Sequence, residues 1–121
     1  MYIHLSSNDS KAVFPDNNSS EFIVELKSTI RGNYAVALVD FYCATVPETL
    51  YIFCDIITPS FLRGDDAPIL RIVHNSGEPR NLHYFPVSRR DIQRIKIVIL
   101  DSNMQKLPLA EVSCTLHLKA I

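Results

Sequence analysis

The chain has 121 residues, a formal charge of −1 and an apolar fraction of 47%, so one domain can bury a core without disulfides or a metal. The balanced charge leaves no basic excess for a phosphate backbone, which argues against nucleic-acid binding. No apolar run approaches the roughly 20 residues of a membrane-spanning helix, and MYIHLSSNDS does not resemble a signal peptide, so we expect a single domain over residues 1–121, made in a reducing compartment and without a membrane partner.

Alternation of apolar and polar residues predicts strands through the first half of the chain. A short strand is predicted at residues 2–5, and EFIVELKS at residues 21–28 places apolar and charged side chains on opposite faces. NYAVALVDFYC, residues 33–43, is apolar on both faces, which is typical of a strand covered on both sides. TLYIFCDI, residues 49–56, is rich in β-branched and aromatic residues and is the next predicted strand.

The second half shows the same two-residue period. PILRIVH at residues 68–74 and NLHYF at residues 81–85 are predicted as short strands bounded by turn-forming residues. IKIVIL, residues 95–100, is again apolar on both faces. EVSCTLHLK, residues 111–119, alternates strictly and is the clearest strand in the chain.

One segment allows a helix, VSRRDIQRI at residues 87–95, in which Ser88 could cap about two turns. It is equally consistent with a turn that leads into the next strand. About eight strands without crossover helices indicate an all-β sandwich of antiparallel strands. Because the chain has no Trp, the pattern of true immunoglobulin domains is absent, and a single jelly roll is favoured.

Residue types that could support catalysis or hold a metal are scattered. The four histidines, His4, His74, His83 and His117, show no spacing typical of zinc ligands. The three cysteines, Cys43, Cys54 and Cys114, form no C-x-x-C pair and are predicted to be buried free thiols. We therefore predict neither an enzyme nor a cofactor or metal site.

Charged residues are predicted to have structural roles. The local cationic cluster consists of Arg89, Arg90, Arg94 and Lys96, and it is interpreted as a solvated face that meets acidic neighbours. Asp40 and Asp55 follow apolar residues within strands, and each is expected at a strand end or beside an arginine, because a buried charge needs a partner.

A loop between two predicted strands contains Arg63, Gly64 and Asp65, a tripeptide of the type that integrin receptors bind. One interpretation is a receptor-binding tip. The other is a turn, in which Gly64 allows a positive φ and Asp65 bonds its own backbone.

Long segments of the chain resemble a protein of Maverick/Polinton elements and adintovirus-like DNA viruses of animals. The resemblance runs from Tyr2 to Lys119 and includes LYIFCDIITPSFLRGDDAPILRIV, HYFPVSRRDIQRIKIVILDSNMQKLPL and VSCTLHLK. The chain departs from the family in a connection shortened to ATVPET, residues 44–49, and in Met104, which stands where the family has a turn glycine.

The resemblance implies a virion structural component, a small single jelly roll of the penton or minor-capsid kind, made in the cytoplasm or nucleus of the host cell. Its implied partners are copies of itself and other capsid proteins, with a host receptor as a further candidate partner of the loop. A homopentamer at the capsid vertex is predicted, with closed cyclic symmetry. The alternative is a trimeric receptor- or carbohydrate-binding attachment head, in which Tyr84 and Phe85 would line a shallow groove.

The two segments that are apolar on both faces are predicted to supply the interface between subunits as well as the core. The residues predicted for this interface are Tyr34, Val36, Val39, Phe41, Ile95, Ile97, Val98 and Leu100.

Overall fold

A computed structural model describes residues 1–43, 49–74, 81–107 and 109–121. These residues form ten strands: β1 (Tyr2–Ser6), β2 (Glu21–Arg31), β3 (Tyr34–Cys43), β4 (Leu50–Cys54), β5 (Ser60–Leu62), β6 (Asp65–Ala67), β7 (Ile69–Val73), β8 (Phe85–Pro86), β9 (Asp91–Leu100) and β10 (Val112–Ala120). Within the described ranges the structure contains no helix, and so none that could cross a membrane.

The strands form two four-stranded antiparallel sheets and one small hairpin. The first sheet has the order β1-β10-β3-β8 and the second has the order β2-β9-β4-β7, while β5 and β6 pair only with each other. Early strands pair with late ones in a nested series: β1 with β10, β2 with β9, β3 with β8 and β4 with β7. The chain is therefore folded back on itself as one long hairpin that has β5 and β6 at its tip.

One hydrophobic core lies between the sheets. Leu5, Val36 and Leu116 of the first sheet join Phe22 and Ile95 of the second sheet in a single cluster of buried side chains. Strand β10 illustrates how the core forms between the sheets. Its apolar residues are buried at every second position, and the polar residues between them face outward. The architecture is all-β and sandwich-like, as the alternation predicts.

Several predicted elements differ in extent from those in the structure. The helical interpretation of residues 87–95 is wrong, since residues 91–100 form the continuous strand β9. NLHYF contributes only Phe85 to a strand. The described residues form ten strands where the sequence predicts about eight, and the hairpin of β5 and β6 has no sequence signal because three residues are too few to show a period.

A β-bulge explains why β3 is apolar on both faces. Leu38 pairs with Leu116 and Asp40 pairs with Thr115, so Val39 is an extra residue between two paired positions. The bulge shifts the alternation, and Phe41 and Cys43 return to the core while Asp40 and Tyr42 are exposed. Asp40 thus lies within a strand but on its solvent face, and not at a strand end.

The outer edge of β2 is capped by side chains of the preceding loop. The Asn17 amide donates to the Ile23 carbonyl at 2.8 Å, and its oxygen accepts from the Ile23 amide N–H at 3.0 Å. Ser10 Oγ accepts from the Glu25 N–H at 3.0 Å. These bonds occupy backbone groups that would otherwise be available to a strand of another molecule.

The turn after β9 places Met104 in the left-handed region, with φ of 61°. Asp101 organises the turn, since its Oδ1 accepts from the N–H groups of Asn103 at 2.8 Å and Gln105 at 2.9 Å. A non-glycine residue with this φ is strained.

Replacing Met104 with Gly is therefore expected to stabilise the protein, by about 1 kcal/mol or less after the greater entropy of unfolded glycine is subtracted. Urea unfolding of the two proteins measures the difference. Met104→Ala is the control, because it removes the side chain but keeps a Cβ at positive φ. Equal stability of the Gly and Ala variants would show that the backbone strain is not relieved.

Candidate functional site

The residues predicted for the subunit interface divide into two groups. Val36, Phe41, Ile95 and Ile97 are almost completely buried in the core of the protomer, so a second copy cannot reach them. Their burial corrects the prediction that these four side chains contact another subunit. A segment that is apolar on both faces still turns one of its faces into the core of its own protomer. Tyr34, Val39, Val98 and Leu100 are half-buried and keep accessible surface.

Val98 and Leu100 belong to an outward-facing apolar surface of the second sheet. Val98 lies opposite Phe53 on β4, which lies opposite Ile69 on β7. Leu100 lies opposite Tyr51, which in turn lies opposite Ile72. We call the six residues in these two rows the outer apolar surface: Tyr51, Phe53, Ile69, Ile72, Val98 and Leu100. Opposed residues of neighbouring strands share a face, so the two rows form one continuous surface.

The outer apolar surface is partly covered within the protomer. Phe53 and Ile69 are each 8% exposed, whereas Ile72 is 38% exposed. The side chain of Arg63, from the β5–β6 hairpin, lies over the ring of Tyr51, with 5.2 Å between the guanidinium carbon and the ring centroid. The accessible part of the surface therefore lies on β7 and β9.

The tripeptide Arg63, Gly64 and Asp65 forms the tip of that hairpin. Leu62 pairs with Asp65, which leaves Arg63 and Gly64 as a two-residue loop. Their φ angles of 50° and 86° are both positive, as a type I′ turn requires. The Asp65 carboxylate accepts from the N–H of Asp66 at 2.8 Å. The turn interpretation accounts for the glycine and for the aspartate.

The Arg63 side chain is bound to the body of its own protomer. One guanidinium nitrogen donates to the Tyr51 hydroxyl at 3.2 Å and also to the carbonyl oxygen of Ser102. A receptor that uses the arginine of this tripeptide would have to break both hydrogen bonds and the ring contact. Receptor binding by the tip stays a prediction. Its free-energy cost would include the loss of these contacts of Arg63.

An apolar groove lies beside the hairpin, at the edge of the sandwich where β7 and β8 are the last strands of their sheets. Its volume is about 310 Å³. The residues that line it are Ser60, Ile69, Leu70, Arg71, Ile72, His83 and Phe85. Since Ile69 and Ile72 belong to both surfaces, the groove continues the outer apolar surface.

Three members of the cationic cluster, Arg89, Arg94 and Lys96, lie beside acidic side chains. Arg94 pairs with Glu25 at 3.4 Å, and Lys96 lies 3.8 Å from Glu21. Lys106 hydrogen-bonds Glu21 at 2.8 Å and, as the main cause, lowers the pKa of that carboxyl group. This arrangement agrees with the interpretation of the cluster as a face that meets acidic neighbours.

Asp55 directly follows β4 and is held in place by two donors. Arg89 lies 3.0 Å from its carboxylate, and the N–H of Lys96 donates to Oδ1 at 2.9 Å. The prediction that Asp55 lies at a strand end beside an arginine is confirmed. Its role is to join the end of β4 to β9.

The aromatic residues considered for an attachment groove have other partners. Tyr84 Oη hydrogen-bonds Nδ1 of His117 at 2.8 Å, and the ring of Tyr2 lies 4.7 Å from the His117 ring. Phe85 packs against the core. Ala37, which pairs with His117, is 0% exposed. Tyr84 and Phe85 therefore do not line one groove; Phe85 contributes to the apolar groove and Tyr84 contacts the outer face of the first sheet.

Two of the other histidines, His4 and His74, bond to hydroxyl groups. His4 Nδ1 lies 2.9 Å from Thr115 Oγ1, and His74 Nδ1 lies 3.0 Å from Thr49 Oγ1. Among the described residues, no group of three His, Cys, Asp or Glu side chains could hold a metal ion.

All three cysteines are buried and form no disulfide, as predicted. Burial raises the pKa of Cys54 to about 12, and burial also raises the pKa of Cys114. Unfolded thiols ionise near pH 8.5. Above about pH 8.5 the unfolded chain therefore loses protons that the folded chain keeps, so this contribution to stability is complete at lower pH and is lost as pH rises.

Each of these two thiols is expected to reduce the free energy of unfolding by about 1.4 kcal/mol per pH unit once the unfolded thiol is ionised. Urea unfolding of wild type and Cys54→Ala between about pH 9 and pH 10.5 measures this slope, which should be shallower in the variant. Ser113→Ala, on the same strand as Cys114, is the control and should keep the wild-type slope. Identical slopes for wild type and Cys54→Ala would contradict the raised pKa.

Comparison of the chain with protein-family models, with curated proteins and with solved structures gave no match in any of the three.

The apolar groove has no local signal in the sequence. Its lining comes from three separate stretches, which include Ser60, residues 69–72 and His83, and only the tertiary fold brings them together. No single stretch of the sequence therefore signals the groove.

Proposed function

We propose that the chain is a viral structural protein, a single jelly roll that assembles into a homopentamer at the capsid vertex. It would act by self-association and by contact with other capsid proteins in the virion, after synthesis in the cytoplasm or nucleus of the host cell. The observation that carries the proposal is the strand order of the two sheets.

The orders β1-β10-β3-β8 and β2-β9-β4-β7 are those of a long hairpin whose four nested pairs are shared between two facing sheets. Eight strands in this arrangement are the plan of a jelly roll, a fold used by viral capsid and lectin domains. The hairpin of β5 and β6 is an addition at its tip. This topology supports the jelly-roll assignment more directly than the alternation of residues does.

The outer surface of the second sheet supports self-association. Val98 and Leu100 are apolar, face outward and retain accessible area, and Ile72 extends this surface to the edge strand β7. Contiguous exposed apolar surface on a protein of this size favours a protein–protein contact. The resemblance from Tyr2 to Lys119 to a virion protein of Maverick/Polinton elements and adintovirus-like viruses points to the same class.

Negative-stain images of the purified protein test the proposal, because class averages count the subunits around the ring. Five subunits are expected. Three subunits would favour the attachment-head alternative instead, since that class assembles as trimers. Isolated single subunits at every concentration would contradict both functions.

A further inference from the structure

The hairpin formed by β5 and β6 presents different side chains on its two faces. Ser60 lines the apolar groove of its own protomer, and Phe61 is not among the lining residues. Phe61, the next residue, must point to the opposite side, because successive residues of a strand alternate. Its side chain is 76% exposed. An aromatic knob and an apolar groove thus lie on opposite sides of the same hairpin.

Charge on the two sides is complementary. Phe61 pairs with Asp66, so the exposed carboxylate of Asp66 lies beside the aromatic ring on the same face. Arg71 and His83 line the groove together with its apolar residues. The Arg71 guanidinium has five N–H groups, one of which donates to the carbonyl oxygen of Asn81.

We propose that the Phe61 and Asp66 face of one copy docks into the apolar groove of the next copy. The Phe61 ring would lie against Ile69, Ile72 and Phe85, and the Asp66 carboxylate would approach Arg71 and His83. The groove volume of about 310 Å³ is sufficient for a phenyl ring. The inference rests on the proposed function, because it names the contact through which the copies associate.

This contact is head-to-tail and not two-fold symmetric. The knob and the groove lie on opposite sides of one hairpin, so a copy that receives a neighbour in its groove still presents its own Phe61 to another neighbour. Such heterologous contacts generate closed rings when the rotation between copies closes. The hairpin of β5 and β6 would therefore join each subunit of the ring to the next, in addition to connecting β4 to β7 within the protomer.

Phe61→Ser tests the knob. Because Phe61 is exposed in the protomer, the variant should fold normally, and the subunit dissociation constant should rise about tenfold or more, as for a central aromatic interface residue. Val13→Ser is the control, since Val13 is another exposed apolar residue, 54% exposed, in a different loop. Asp66→Lys should also weaken association, whereas Asp16→Lys, at another exposed carboxylate, should not.

Cysteine cross-linking tests the direction of the contact. A variant with both Phe61→Cys and Ile72→Cys should give a ladder of covalent oligomers on oxidation, and each single variant should give none. The native thiols do not interfere because they are buried. Covalent dimers from Phe61→Cys alone would overturn the head-to-tail arrangement.

The same experiments separate this inference from the proposed function. A wild-type ring of five that persists in Phe61→Ser and shows no cross-linked ladder would overturn the docking of the hairpin and leave the capsid assignment standing. A wild-type protein that never associates would overturn the assignment itself, and the docking with it.

Discussion

The variant Ile97→Lys is expected to be unfolded, whereas Val98→Lys, one residue further along the same strand, is expected to fold. Ile97 is 0% exposed and lies opposite Phe22 on one side and Cys54 on the other, both also fully buried. A lysine there would place an unpaired ammonium group in the core, at a cost of several kcal/mol beyond the lost packing. Domains are stable by only about 5–15 kcal/mol, so this cost removes most or all of the stability.

Val98 has the opposite orientation. It lies between Glu21 and Phe53 on the outward face, where an ammonium group can reach water. We expect Val98→Lys to keep the β-type circular dichroism spectrum and a cooperative urea transition close to that of wild type. The variant should instead associate more weakly, which light scattering would show as a lower molar mass. If Ile97→Lys folds with wild-type stability, or if Val98→Lys is the unfolded member of the pair, the assignment of inward and outward faces on β9 is contradicted.

Replacing Asn17 with alanine is expected to cost about 2–4 kcal/mol. The Asn17 side chain makes two hydrogen bonds to the backbone of Ile23 and a third to the carbonyl oxygen of Asp9 at 3.2 Å. Each bond contributes about 0.5–1.5 kcal/mol, and part of the cost comes from leaving backbone groups unsatisfied. The variant should also associate through the uncovered edge of β2, because a free strand edge pairs with other molecules.

Asn17→Asp is the informative control for this prediction. A carboxylate can still accept from the Ile23 N–H but cannot donate to its carbonyl oxygen, so an intermediate loss is expected. Urea unfolding measures the stability, and light scattering during storage measures edge association. Should Asn17→Ala match wild type in both measurements, the loop before β2 would not protect the edge.

Strand positions could largely be predicted from the sequence because the signal is local. The alternation in EVSCTLHLK leads directly to β10, and its buried residues are those that the pattern selects. The short hairpin at Arg63 and Gly64 was predictable as a turn, since glycine next to aspartate is a turn signal.

The orientation of an all-apolar segment could not be predicted, because it depends on a partner that is distant in sequence. IKIVIL gives no local reason for Ile97 to face inward and Val98 outward. The pairing register of β9 with β2 determines these orientations, because it places Val98 opposite Glu21, more than seventy residues earlier in the chain. The bulge at Val39 is hidden for the same reason, since it is defined only against Thr115 and Leu116 of β10.

The association state of the purified chain tests the central claim most directly. Multi-angle light scattering across a dilution series compares the measured mass with the protomer mass of 13.7 kDa. We predict a mass about five times that of the protomer at high concentration, with Phe61→Ser shifted toward the protomer and Val13→Ser unchanged. A mass of one protomer for the wild type at every concentration would contradict the account.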